Sequence, residues 1–385
     1  MADISQGYEN HFPRTVITGR GRCAAVASLA VARGWRRVFV ASDAGVAAAG
    51  LLERVTDPLA EAGLLAGIST AIPAEPPLED VAALAGEVLT ARADAVVGLG
   101  GGSVMDAAKV AALCAGRRGA PRDYLGVRKA GGTGLPTVLV PTTAGTGSEA
   151  TFVAILTDPS TGNKVGVVDP AILADVAIVD PGLTDSLPAH VTAAAGMDAC
   201  VHAVEAFVAT VATPLSRVLA LEAARHLGPA LERVCRDGSD RAARHAMAVG
   251  SHLAGMAFAN SSCCAVHALA LPLGGRFHVP HGVITGCFVG ALVRHAAAAR
   301  GDDFARLAGA FGFGTADADA FAARLDALAA AIGLRRVLDG VQVPDAAVAT
   351  MARDAVANRR LIDPNPVTVT EADAAKIYRD VLVTC

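Results

Sequence analysis

Charge is scarce in this chain: only 18% of its 385 residues are Asp, Glu, Lys or Arg, and they leave a formal net charge of −4 with a pI near 6.2. Nucleic acid is bound by clustered Lys and Arg, so neither DNA nor RNA is an expected partner. No C-x-x-C pair occurs among the eight cysteines, although Cys263 and Cys264 are adjacent. That absence speaks against a zinc–cysteine site and a disulfide framework, and for reduced thiols in the cytoplasm. The opening MADISQGYENHFPRT has neither a positive n-region nor an apolar h-region, so it does not read as a secretory signal. Apolar stretches elsewhere are Ala-rich and are broken by Gly, Pro or charge before about eighteen residues accumulate. No membrane span is therefore expected. A solenoid period is absent, and so is G-x-G-x-x-G, the ordinary dinucleotide fingerprint.

What is present is apolar material. Hydrophobic residues make up 53% of a 38.7 kDa chain, enough for a large interior and long enough for two domains. In the first half, Arg36 to Ser42, Asp94 to Gly100 and Leu135 to Pro141 are short, β-branched runs suited to strands buried on both faces. Helical patterns such as Leu78 to Arg92 and Asp106 to Cys114 lie between them. The alternation predicts a parallel α/β sheet. From about Leu187 the strand signals stop, and Ala, Leu, Val and Arg recur at helical spacing. An α/β domain over residues 1–186 and an all-α domain over 187–385 follow, hinged at Val179 to His190, where prolines and turn residues cluster.

The segment GMDACVHAVE carries the first chemical signal. On a helix, Asp198 and His202 share one face, and an imidazole with a carboxylate suits a divalent ion such as iron or zinc. A lone pair at this spacing is more often a helix-surface contact. Some sixty residues later, VHALALPLGGRFHVPHG brings His267 and His281 in an apolar, turn-rich segment that can complete a four-ligand shell. Gly101, Gly102 and Ser103 follow a strand and open a helix, where inward N–H groups and a helix N-terminus favour a phosphate. A plain strand-to-helix turn is the alternative. Thr142, Thr143, Thr146 and Ser148 crowd a second such loop, and two hydroxyl- and glycine-rich loops at neighbouring strand ends suggest one crevice. Asp43 closes another strand-like run; there a carboxylate either accepts from an adenosine ribose, favouring NAD over NADP, or caps the next helix.

Taken in order, GLGGGSVMDAAK, PTTAGTGSEAT, KVGVVDP, the D-x-x-x-H helix and VHALALPLGGRFHVPHG resemble the iron-containing (group III) alcohol dehydrogenase family over nearly the whole chain. The resemblance implies a dehydroquinate synthase-like fold: an N-terminal dinucleotide-binding domain with a parallel sheet, an all-α metal-binding domain and an active site in the cleft between them. It implies Fe2+, with Zn2+ as the alternative, held by Asp198, His202, His267 and His281. It also implies NAD held by Asp43, Gly101, Gly102, Ser103, Thr142, Thr143, Thr151, Lys164 and Leu183, with Leu183 packed at the adenine side. The function implied is hydride transfer between nicotinamide and a small alcohol or aldehyde in a cytoplasmic homodimer or larger assembly.

This chain departs from the family at several places. The position of a second histidine, four residues after His267, is Leu271, which cannot carry a proton, so His278 is the candidate relay beside solvent or the cofactor ribose. Glu75 stands where the family has Asn, and Ser262 and Cys264 stand where it has Gly. Arg276 is placed either to meet an anionic group on the substrate or as an exposed arginine. A metal- and NAD-dependent lyase of the dehydroquinate synthase type, a glycerol-dehydrogenase-like enzyme and a non-catalytic nucleotide-binding scaffold are the competing expectations.

Overall fold

The computed structural model describes residues 7–314 and 317–383. It divides into two compact units, His11–Ser186 and Leu187–Cys385 with Met1–Asn10. The sequence reading sets its boundary between residues 186 and 187; among the described residues, the stretch 7–10 groups with the helices. Contact chemistry explains the difference at its end, since the Asn10 carboxamide oxygen lies 3.0 Å from the Thr213 hydroxyl.

The first unit contains strands β1 (Thr15–Thr18), β2 (Val38–Ala41), β3 (Leu65–Ser69), β4 (Ala95–Gly100), β5 (Gly126–Val127), β6 (Thr137–Pro141), β7 (Val153–Asp158), β8 (Asn163–Val168) and β9 (Val176–Val179). Six of them form one sheet in the order β1-β9-β6-β4-β2-β3, with every pairing parallel. Strands β2, β4, β6 and β9 are buried at every position, as strands covered on both faces must be. Their side chains alternate between two apolar clusters. Val96 and Leu139 join Val81, Leu84 and Met105 on one face, while Val97, Val138 and Val140 join Val26, Leu59 and Ile178 on the other. Each such side chain, fully buried, is worth about 1.5–3 kcal/mol over its exposed state.

Helices α1 (Val26–Arg33), α2 (Ala44–Ala48), α3 (Glu53–Glu61), α4 (Leu78–Thr90) and α5 (Gly102–Arg117) connect these strands. The chain leaves β2 towards β3 and then returns to the other side of β2 as β4, before moving on to β6. The carboxyl ends of β2 and β4 therefore flank a reversal of strand order, the place where open α/β sheets bind ligands. A second sheet, β5-β8-β7, contains the antiparallel β7–β8 pair. It includes the first five residues of KVGVVDP, Lys164 to Val168, whose sheet pairing was not evident from their composition.

Among the described residues no strand follows β9. The second unit consists of α6 (Ala189–Val208), α7 (Pro214–Arg236), α8 (Arg241–Ala259), α9 (Ala265–Phe277), α10 (His281–Ala310), α11 (Ala318–Ala331), α12 (Leu334–Asp339), α13 (Asp345–Ala357), α14 (Arg359–Ile362) and α15 (Glu371–Val381). The expected turn-rich segment around His267 is instead helical through Phe277, with Pro272 inside α9. An interior proline costs about 3 kcal/mol, but Ala268, Leu269, Ala270 and Leu273 are completely buried around it, and that packing outweighs the local preference. Only residues 278–280 separate α9 from α10.

Two helices, α6 and α10, are long and apolar enough to cross a membrane by length and composition, contrary to the sequence expectation, yet 83% and 67% of those windows are buried within the protein. Close approach of the same two helices depends on Gly282, where a Cβ would stand 2.1 Å from the carbonyl oxygen of Ala194. Gly282→Ala is expected to cost about 1–3 kcal/mol through forced separation, read as a lower urea midpoint. Gly275, with nothing within 4 Å of a built Cβ, is the control, and its change to Ala should be neutral or stabilising by up to about 1 kcal/mol.

Candidate functional site

Helix α6 is buried on nearly all sides, so its polar residues need a reason to be there. Asp198, His202 and Glu205 follow one another along a single stripe at spacings of four and three. The chain then brings His267, in the first turn of α9, and His281, the first residue of α10, to the same place. Nε2 of His202 lies 3.9 Å from Asp198 Oδ2, and the Nε2 atoms of His267 and His281 lie 3.7 and 3.8 Å from Asp198 Oδ1. With bonds of about 2.1 Å, tetrahedral ligands stand roughly 3.4 Å apart, so the spacing is only slightly wide for a shared ion. His202 Nδ1 and His267 Nε2 are buried without a hydrogen-bond partner, a state that costs about 1–3 kcal/mol per group. Three imidazoles, one carboxylate and the orphaned His267 Nε2 aimed at that carboxylate fit a divalent transition metal.

Two supporting residues escaped the sequence reading. Glu205 is wholly buried; it accepts from the backbone N–H groups of Cys264 and Val266 at 2.9 and 2.7 Å, and one of its oxygens lies 2.5 Å from His267 Nδ1. It thus fixes the ring of His267 with Nε2 turned towards Asp198. Its position one turn beyond His202, within an apolar helix, was the available signal. Thr285, one turn into α10 from His281, donates to Asp198 Oδ1 at 2.9 Å. Burial favours the neutral Asp198 carboxyl, but the three imidazoles and Thr285 outweigh it and hold its pKa below the ordinary value. At His267 burial likewise favours the neutral ring, and Cys263 and Glu205 outweigh it, raising the pKa well above the ordinary value. A cation taking that Nε2 lone pair must displace a proton.

In the sheet unit, Gly101 caps the N-terminus of α5 in extended conformation. The two loops expected to share one crevice do lie together. A Cβ on Gly102 would stand 2.8 Å from Thr146, and one on Gly101 would stand 3.7 Å from Thr143; in addition Thr142 N donates to Gly100 O at 3.0 Å. Their alignment is locked from beneath. Asp106 accepts from Ser148 Oγ at 2.6 Å and from Ile155 N at 2.8 Å. Lys109, fully buried, lies 3.0 Å from the partly buried Asp106 and donates to the carbonyls of Ser148 and Val153 at 3.0 and 2.6 Å. Burial lowers the Lys109 pKa, against Asp106 and Glu149, which raise it.

The remaining expected cofactor residues divide by exposure. Asp43 caps α2, accepting from Val46 N at 2.9 Å with Oδ1, and among the described residues none donates to its Oδ2. Ser103 does not cap α5; its hydroxyl accepts from Glu75 N at 3.1 Å. Lys164 is paired with Glu75 at 2.7 Å. Thr142 and Thr151 are buried, and the Thr151 hydroxyl is 3.3 Å from Lys109 Nζ, so Thr151 belongs to the buried lock. Leu183 is 1% exposed inside the sheet's apolar cluster; it supports the fold from within instead of presenting a free surface. His278 is exposed, in left-handed conformation with φ 53° at the end of α9.

A family model described as iron-containing alcohol dehydrogenase matches residues 13–181, and one described as the C-terminal part of the Fe-containing alcohol dehydrogenase family matches residues 192–382. The chain belongs to the iron-containing alcohol dehydrogenase family. It is an oxidoreductase of that class. Long-chain-alcohol dehydrogenase 1 of Geobacillus thermodenitrificans is 39% identical over 354 residues, covering 90% of this chain and 89% of the relative. The crystal structure of a 1,3-propanediol oxidoreductase superposes with a TM-score of 0.92 at 30% identity, covering 98% of this chain and all (100%) of that one. Sulfoacetaldehyde reductase from Bifidobacterium kashiwanohense, solved in complex with NAD+, gives 0.89 at 30% identity, with 98% and 99% covered.

Removing Lys109 leaves Asp106 uncompensated and three oxygen acceptors without their donor. Lys109→Met is therefore expected to cost about 3–5 kcal/mol in urea unfolding and to speed amide exchange at Ile155; an unchanged midpoint would contradict the lock.

Proposed function

We propose that this family member transfers a hydride between NAD(H) and a small alcohol or aldehyde at a divalent ion, Fe2+ with Zn2+ as the alternative, held by Asp198, His202, His267 and His281. The observation that supports it best is the approach of three Nε2 atoms to within 3.9 Å of one buried carboxylate. Bound there, the ion supplies Lewis acidity that eases loss of a hydroxyl proton or polarises a carbonyl. The nicotinamide supplies the hydride acceptor or donor.

The chain's own contribution is position and charge. Asp198 neutralises one of the ion's two charges while the imidazoles add none, and Glu205 with Thr285 keeps two of the ligands in orientation. For NAD, Gly101, Gly102 and Ser103 offer backbone donors at a helix N-terminus, and Thr142 and Thr143 add uncharged polar groups. The second Asp43 oxygen suits the 2′-hydroxyl of NAD better than the phosphate of NADP. Lys164, held at 2.7 Å by Glu75, supplies an ammonium group whose charge that carboxylate offsets, and Thr151 and Leu183 act from within the fold. Oxidation of an alcohol also releases a proton. Leu271 cannot receive it, and we assign the relay to solvent-exposed His278.

Arg276 makes an exposed ion pair with Asp354 at 2.5 Å, so the sequence's reason for an anionic substrate is weakened; Arg276→Leu should affect neutral and anionic aldehydes alike. The free state of all seven described cysteines supports a reducing, cytoplasmic setting. Exposed Val211, Leu215 and Val218 support self-association as a homodimer or larger assembly.

The deciding experiment is metal analysis of anaerobically purified protein together with NADH formation from alcohols and NADH oxidation by aldehydes. Asp198→Ala and His267→Ala should each lose the ion and turnover, with a smaller effect on NAD binding; wild-type activity after metal stripping and reloading would overturn the ligand set. Glu205→Gln should weaken metal binding about 10–100-fold. Net NADH production also excludes a lyase that regenerates its NAD in each cycle.

A further inference from the structure

We propose that Cys263 is an additional metal-binding side chain that gives this site a sulfur-containing ligand set, biasing it towards thiophilic divalent ions such as zinc. The inference rests on the metal site proposed above. Cys263 lies in the short connection between α8 and α9 and is 8% exposed. Its sulfur and one ring nitrogen each of His202 and His267 all lie within 4.8 Å of one another. Asp198, His267 and His281 satisfy the same condition. Two potential ligand triads therefore share His267, one containing carboxylate oxygen and the other sulfur.

The neighbouring thiol does not compete for this role. Cys264 N donates to Glu205 at 2.9 Å, and its Sγ lies 3.8 Å from the Glu205 carbonyl oxygen. Cys263 instead meets the rings of His202 and His267, and His267 keeps a buried Nε2, directed at Asp198, without a hydrogen-bond partner. A thiolate is a softer donor than carboxylate, and among first-row ions zinc takes it readily, at about 2.3 Å. Binding replaces the S–H bond by a metal–sulfur bond, and the proton leaves to solvent. No electron transfer is involved.

The test loads the full-length protein with one equivalent of cobalt(II), a spectroscopic substitute for zinc. Wild type should show near-ultraviolet sulfur-to-cobalt charge-transfer absorption, lost in Cys263→Ser and Cys263→Ala while the visible d–d bands persist. Should neither variant fold, X-ray absorption of zinc-loaded wild type decides, with one sulfur near about 2.3 Å expected. Cobalt bound with only nitrogen and oxygen signatures, or spectra identical in wild type and variants, overturns the role of Cys263 and leaves the four-ligand site standing. Failure of wild type to bind cobalt overturns both.

Discussion

A buried carboxylate organises the helical unit. Glu205 is out of contact with water, and an uncompensated charge there would cost several kcal/mol. It is tolerated because two backbone N–H groups at the start of α9 and the Nδ1 of His267 are directed at it. The same contacts satisfy donors that a helix N-terminus otherwise leaves unpaired, and they place the negative charge where the helix dipole favours it. One side chain therefore docks α9 on α6 and sets the ring angle of His267. The approach of the other imidazoles to Asp198 has value only because that ring is held.

The sheet unit solves a similar problem with charges of both signs. Lys109 and Asp106 are separated by one helical turn, and between them they tie down Ser148, Val153 and Ile155. A glycine- and hydroxyl-rich loop has little side-chain packing of its own. Fastening it to the helix that follows the neighbouring strand gives it a defined conformation without filling the space above it.

Much of this was legible in the chain. Continuous β-branched runs announced strands buried on two faces, and Ala-rich periodicity after Leu187 announced helices, because burial on both faces and burial on one stripe leave different periods. Asp198, His202, His267 and His281 were readable as a constellation, and the glycines before α5 as a turn with free N–H groups. The packing of α9 was not legible. Pro272, Gly274 and Gly275 argue locally for a broken segment, and only the surrounding buried side chains make the helix pay. Likewise Thr151 and Leu183 sit in motifs with a polar or apolar surface role on paper, yet both are turned inward.

Residue order by itself determined the parallel strand–helix alternation of the first part, the helical character after Leu187 and the D-x-x-x-H pairing of Asp198 with His202 on one helix face, because periodicity and turn chemistry are local properties. Tertiary structure alone decided what stands behind them: Glu205 on His267, Thr285 on Asp198, Lys109 beneath the loops, and Cys263 beside two imidazoles. These partners lie on separate elements, some of them dozens of residues apart. No local pattern encodes such a distance, since it is fixed only when the helices pack and each buried polar atom must find a neighbour.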